Sequence, residues 1–360
     1  MGADYRNDAL HPTLSRARPL QQATLDHIGA GAGRASYGDC KVLESTGRGG
    51  LTDFTMGNSV TGECWSVNPY SGCAHACSYC YVPDTIHAER RRWGSYVVVK
   101  KDLPTRLALM MQRSKRMTAY FSTATDPYQP AEAEHEVTRR CLEVLVRKDW
   151  PVEVLTRSPL VTRDIDLFRQ LSQVRVGLSV PSVDDEVRKV LEPNAPPIPA
   201  RLAAVKALSD AGIPTFTNYT PACPPTTTDA EGIARTLLDA GAHWANTSPW
   251  RRRSTTLGPV WERLRGTAWE EMTRHFASKE RQQDWQRELR RAFRSVGLPL
   301  GTSFFNPPFE WLEPGTTAPA DAVRAVPTAK VEAHATQRTL APLPVIQVPL
   351  RRIAEPGAPR

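Results

Sequence analysis

Three cysteines, Cys73, Cys77 and Cys80, fall within eight residues of the stretch NPYSGCAHACSYCYVPDT (residues 68–85), with Tyr79 just before the last. The chain has seven cysteines in all, an odd number at low density. That argues against a disulfide scaffold and, in a reducing compartment, makes clustered thiols metal or redox candidates. Three thiolates close a tetrahedral zinc site only with a fourth ligand, and His75 and His87 are near in sequence. A [4Fe–4S] cube held by three thiolates instead leaves one iron open to a substrate or cofactor. Gly72, Ala74, Ala76 and Ser78 are small, so this loop can wrap a bulky cluster closely.

Such chemistry needs a frame. Residues 1–60 are rich in Gly, Ser, Thr and Asp with little periodicity and read as an irregular N-terminal extension. From 61 to 250, short apolar or β-branched runs alternate with helical patterns. Strands are expected at Glu63–Val67, Tyr96–Val99, Ala119–Thr123, Val152–Thr156, Arg175–Val180, Thr215–Tyr219 and His243–Thr247. Helices are expected at Thr105–Lys115, Glu134–Lys148, Arg163–Ser172, Asp184–Leu191, Pro199–Ala211 and Asp229–Ala240. Strand-then-helix order predicts an α/β fold with a parallel sheet and right-handed crossovers; six such units make a partial (β/α)6 TIM-like barrel.

Ligands of these folds sit at the carboxyl ends of the strands. There the sequence turns polar six times: Gly72–Tyr81, Ser122–Gln129, Arg157–Ser158, Ser179–Ser182, Asn218–Cys223 and Asn246–Trp250. One polar loop is ordinary; six at one end of a sheet outline a site.

At 360 residues with 40% apolar content, one large domain can absorb most of the chain. Lys and Arg number 46 against 38 Asp and Glu, a net charge of +8. Residues 251–300 hold twelve Lys and Arg against six Asp and Glu. In this basic helical C-terminal extension (251–312), Trp269, Met272 and Phe276, then Trp285, Leu289 and Phe293, recur at helical spacing and would dock against the barrel. The other face carries Arg274, Lys279, Arg281, Arg287, Arg290, Arg291 and Arg294. With Arg251–Arg253 it makes segment 251–294 either a solvated charged face or a binding surface for DNA or RNA. Residues 313–360 carry eight prolines and read as a disordered tail. No run approaches the roughly 18 to 20 apolar residues of a membrane span, and the amino terminus lacks a signal-peptide core, so a cytoplasmic location without membrane attachment is expected.

CAHACSYC has the C-x3-C-x2-C spacing, with an aromatic before the last Cys, of the radical S-adenosylmethionine (radical SAM) enzymes. Together with TDPYQP at 125–130, TRSPLVTRDIDL at 156–167, GLSVPS at 177–182, LEPNAPP at 191–197 and RLAAVKALSDAGI at 201–213, the chain over residues 62–250 resembles the spore photoproduct lyase-related branch of that superfamily, in particular its uncharacterised bacterial, DNA repair photolyase-like group.

The resemblance implies a [4Fe–4S] cluster on Cys73, Cys77 and Cys80, and S-adenosylmethionine (SAM) on the fourth iron. One-electron cleavage of SAM then yields a 5′-deoxyadenosyl radical for hydrogen abstraction. Tyr79 would stand beside the adenine. STATD at 122–126 takes the place of the family's Gly-Gly-Glu, so Thr123, Thr125 and Asp126 would receive the cofactor's amino group, unless Asp126 caps the Pro127 turn. Arg157 would grip the carboxylate, the alternative being a surface ion pair with Asp164 or Asp166. Ser179 would meet the ribose, Glu192 and Arg201 would pair to fix their loop, and Asn218 and Tyr219 would line the adenine or substrate pocket.

Cys223 would donate a hydrogen atom to a product radical, as a cysteine does in spore photoproduct lyase, although that enzyme's own donor position has no clear counterpart here. Cys64 and Cys141 read as packed thiols, and Cys40 lies in the irregular N-terminal part. A flavodoxin or ferredoxin would supply the electron. The implied reaction is lyase-like hydrogen abstraction from a nucleic acid base or lesion. A peptide or small metabolite fits the same core, and a non-catalytic iron–sulfur or zinc protein that binds nucleic acid and senses redox state is the alternative from another class.

Overall fold

A computed structural model describes residues 36–37, 40–46, 52–55, 63–121, 123–224, 228–248, 250 and 254–302. All belong to the first of two compact units, Met1–Val323; the second, Arg324–Arg360, lies outside the described residues, as do Ser122, Arg251–Arg253 and the expected disordered tail.

The strands are β1 (Ser36–Tyr37), β2 (Cys40–Ser45), β3 (Thr52–Thr55), β4 (Glu63–Val67), β5 (Tyr70–Ser71), β6 (Tyr96–Lys100), β7 (Thr118–Phe121), β8 (Val152–Thr156), β9 (Val174–Ser179), β10 (Thr215–Tyr219), β11 (Trp244–Thr247) and β12 (Leu300–Thr302). The helices are α1 (Val82–Thr85), α2 (Leu103–Met111), α3 (Glu132–His135), α4 (Val137–Val146), α5 (Ile165–Phe168), α6 (Asp185–Leu191), α7 (Ile198–Asp210), α8 (Ala230–Asp239), α9 (Ser254–Leu264), α10 (Glu271–Ala277) and α11 (Lys279–Val296).

The main sheet runs β12-β11-β10-β9-β8-β7-β4-β3. Its first seven strands are parallel, as the repeated strand-then-helix order predicts, and β3 pairs antiparallel to β4 at one edge. Six of the expected strands lie in it. The seventh, Tyr96–Val99, does not: β6 joins β2 and β5 in a separate four-stranded sheet, β1-β2-β6-β5. There β6 pairs parallel with β2, which precedes the main sheet's parallel strands in the chain, and antiparallel with β5, which leads into the cysteine loop. Within residues 1–60, expected to be irregular, the described residues include β1, β2 and β3. The helix expected over Glu134–Lys148 breaks into α3 and α4 at Glu136, whose φ of 49° ends the first turn.

Successive strand residues face opposite sides. Val67, Phe121, Val154, Val176, Leu178 and Ala245 join the main core together with Leu142, Leu208, Ile233 and Phe293 of the helices. The inner face carries Cys64, Tyr120 and Leu155, the stacked pair Phe216 and Trp244 with ring centroids 5.0 Å apart, and a buried Arg175–Glu153 ion pair of 2.9 Å. Gly177 pairs with Phe216 across the sheet, and a Cβ there would collide with the phenyl ring. Gly177→Ala should therefore cost about 1–3 kcal/mol of overpacking, read as a lower midpoint in urea unfolding with an unchanged slope.

Candidate functional site

The cysteine loop leaves β4 through β5, which is held against Val98 and Val99 of β6. Gly72 makes the turn at φ +78°, where a Cβ would strike the Tyr96 carbonyl. Gln129 then grips the loop from both sides: its Oε1 accepts from Ala74 N (2.9 Å) and its Nε2 donates to Gly72 O (3.2 Å). Asn194 Nδ2 donates to Ala74 O, Ser78 N to Leu191 O, and Arg90 Nη2 to Cys80 O. Cys73, Cys77 and Cys80 are free thiols. Burial pushes all three up, Cys73 to about 12. Left alone they stay protonated near neutrality, and a metal that takes the thiolate must supply the compensating charge.

Beside them is a buried ionic hub. Arg157, one residue past β8, donates to Cys77 Sγ and, at 3.0 Å, to Glu192 Oε1. Glu192 also accepts from the Tyr79 hydroxyl and from Arg201, whose Nη1 donates to Ser179 O. Burial alone would raise the Glu192 carboxyl; the two guanidiniums outweigh it and hold the group below its ordinary range. The expected Glu192–Arg201 pair is thus present. Arg157 does not pair with Asp164 or Asp166, which are taken by Arg139, with Arg163 also on Asp164.

Asp126 joins the hub to the loop after β7. Its Oδ1 accepts from Thr156 Oγ1 (2.5 Å) and Tyr128 N (2.9 Å), and its Oδ2 from Arg157 N (2.9 Å). The Tyr128 contact is the turn cap that the sequence allowed. Thr125 Oγ1 donates to Tyr70 O, and Thr123 Oγ1 is shared by Ser66 Oγ and Asn68 Nδ2. These three side chains, expected to be acceptors for a cofactor, are engaged within the protein; Asp126 keeps lone-pair capacity, with the buried His75 Nε2 3.6 Å from its Oδ2. His87 is exposed.

Ser179 and Asn218 share the inner face at the ends of β9 and β10, in register with each other and with Asn246 on β11. Tyr219 faces the opposite way, into the helix-side core, a correction that follows from strand alternation. Cys223 is fully buried among Val187, Leu191, Trp250, Met272 and Phe276, a cluster against which Tyr79 packs; burial pushes its thiol well up, so it keeps its hydrogen. Tyr219 OH and Trp285 Nε1 of α11 both donate to its carbonyl.

Sequence reading did not single out Asn68, Gln129, Asn194 or Asn246 as site residues. Asn246 and Gln129 lie in stretches flagged as polar strand ends, and Asn68 and Asn194 in motifs quoted for the resemblance, but their contacts join segments distant in sequence and gave none of them a role.

A profile of the radical SAM superfamily matches residues 67–239, from the end of β4 through α8. Residues 67–239 form a radical SAM domain. An uncharacterised protein of Methanocaldococcus jannaschii is 34% identical over 166 residues, 46% of this chain and 62% of that protein. One from Mycobacterium tuberculosis is 31% identical over 182 residues, 48% of this chain and 54% of that protein. The chain spans less than two thirds of the length of either. A radical SAM Nα-GlyT isomerase of Pseudomonas phage M6 is 26% identical over 160 residues, 44% of this chain and 33% of that one. In fold, the chain is similar to a spore photoproduct lyase variant solved with bound AdoMet and dinucleoside spore photoproduct, with a TM-score of 0.51 at 14% identity over 67% of this chain and 76% of that one.

Radical SAM domains use a [4Fe–4S] cluster and SAM. The donor set fits. Three free thiols share one pinned loop after β4, the first parallel strand of the main sheet in chain order, with a guanidinium already on one sulfur. Among the described residues no three His, Cys, Asp or Glu side chains are gathered as around a single ion; a cube instead takes each thiolate on a different iron. No helix among the described residues is long and apolar enough to cross a membrane.

Proposed function

We propose that this chain is a radical SAM enzyme that abstracts hydrogen from a nucleic acid base or lesion, in the manner of a lyase. The observation that carries the reading is the thiol loop Cys73–Cys80 set against the Arg157–Glu192–Arg201 hub at the carboxyl ends of the strands. When bound, the reduced cluster and SAM supply a 5′-deoxyadenosyl radical. Cys73, Cys77 and Cys80 hold the cluster. Arg157 would take the cofactor's carboxylate, Asp126 with the Thr123–Thr125 turn its amino group, and Ser179 and Tyr79 would border its ribose and adenine, with Asn218 lining the substrate pocket beside them. Cys223, kept protonated by burial, hands one hydrogen atom to the product radical and is left as a thiyl. A flavodoxin or ferredoxin supplies the electron.

Two features support a nucleic acid substrate. One is the similarity in fold to a lyase solved with a dinucleoside photoproduct. The other is the α10–α11 segment: Arg274, Arg281 and Arg287 are paired with Glu271 or Asp284, but the exposed Arg290, Arg291 and Arg294 of α11 have no ion pair among the described residues and are available for phosphates. Arg251–Arg253 lie outside the described residues.

Anaerobic reconstitution tests the reading: about four irons per chain and reductive formation of 5′-deoxyadenosine are expected, and stoichiometric zinc without iron would overturn it. Arg157→Lys keeps the charge but loses the planar fork, so SAM should bind about tenfold more weakly in equilibrium dialysis while iron content stays at the wild-type level.

A further inference from the structure

We propose that Asn218 and Asn246 form a recognition pair for the N–H edge of the substrate's planar heterocyclic base; this rests on reading the strand ends as a radical SAM site acting on a base. The two residues are partners in the parallel β10–β11 register, so their amides stand side by side on the inner face. Asn246 is 1% exposed, and the Oδ1 atoms of both are buried with no hydrogen-bond partner among the described residues. Native interiors rarely leave such acceptors unpaired, so two on neighbouring strands call for donors from a ligand. Two residues deeper on the same strands, Phe216 and Trp244 stack on each other and close the bottom with apolar rings, and Trp244 Nε1 is a third buried polar atom with no hydrogen-bond partner among the described residues.

An apolar base, two acceptors and one donor complement a ring with N–H groups and a carbonyl or ring nitrogen on its edge. The substrate's base and the cofactor's adenine share that chemistry. The proposal assigns the pair to the substrate, because Arg157 and Asp126, the groups suited to the cofactor's amino-acid end, lie at the ends of β8 and β7, on the other side of β9.

The test is equilibrium binding, by ligand-observed NMR, of the four deoxynucleosides and of 5′-deoxyadenosine to the full chain and to its Asn218→Leu and Asn246→Leu variants. These probes are uncharged, so the basic helix adds nothing. No reductant is needed, so the outcome is independent of the cluster assay. Expected are binding of at least one deoxynucleoside, its weakening by about tenfold or more in each variant, 5′-deoxyadenosine affinity within about twofold of wild type, and a melting temperature equal to or above wild type. The last readout follows because removing an unpaired buried acceptor relieves a desolvation cost, whereas a structural Asn would lower it. The proposal is overturned if the wild type binds no deoxynucleoside, if both variants bind as wild type does, if 5′-deoxyadenosine is the probe that weakens, or if both variants melt lower.

Discussion

Cys77→Ala, reconstituted anaerobically, should lose the intact cluster spectrum and bring reductive formation of 5′-deoxyadenosine down to the uncatalysed background, the largest functional effect expected of any single change. Cys77 is the thiol in direct contact with Arg157, and three thiolates leave no spare ligand. The fold should survive. Gln129, Asn194, Leu191 and Arg90 hold the loop through its backbone, and none of those bonds uses a thiol. Cys64→Ala is the control, because that sulfur packs on the inner face with Tyr120. Far-UV circular dichroism, iron content and product chromatography read the three variables separately. SAM cleavage at the wild-type rate by Cys77→Ala would refute the ligand assignment.

Glu192→Leu should be the most destabilising substitution at the site, by about 3–5 kcal/mol. Glu192 and Arg201 are both fully buried, so deleting the carboxylate leaves the Arg201 guanidinium uncompensated and also unpairs the Tyr79 hydroxyl. In a domain of this size that corresponds to a fall in Tm of about 10 °C, measured by calorimetry. The double variant Glu192→Leu/Arg201→Met removes both charges and should recover most of the loss, since an apolar pair in place of a buried ion pair is often close to neutral. A single variant melting within about 2 °C of wild type would show that the hub is not a stability determinant.

The parallel sheet was legible because strands buried on both faces read as apolar runs such as Val152–Thr156 and Val174–Ser179. The same property misplaced Tyr96–Val99, whose valines fit either sheet equally well. β12 is three residues, Leu300–Thr302, too short to show a period, and α9 contains Gly258 and Pro259, which hide a helix from pattern reading. In the site, Cys73, Cys77 and Cys80 stood out because their spacing is local, and Glu192 and Arg201 are only nine residues apart. The grip of Gln129 on a loop 55 residues away and that of Asn194 at 120 residues are products of tertiary folding. So is the engagement of Asp126 by Thr156, which makes the expected cofactor acceptor a structural junction as well.

The superfamily match ends at Asp239, but the molecule does not divide there. β11 and β12 extend the sheet beyond β10, α11 contributes Leu289 and Phe293 to the core that holds Ile233 and Leu237 of α8, and Trp285 reaches the Cys223 carbonyl. A chain cut after α8 would present β10 as a bare edge strand beside uncovered apolar side chains, the arrangement through which sheets recruit further copies of themselves. The matched segment is therefore not an autonomous folding module, and excising it is expected to yield a self-associating fragment instead of a smaller folded domain.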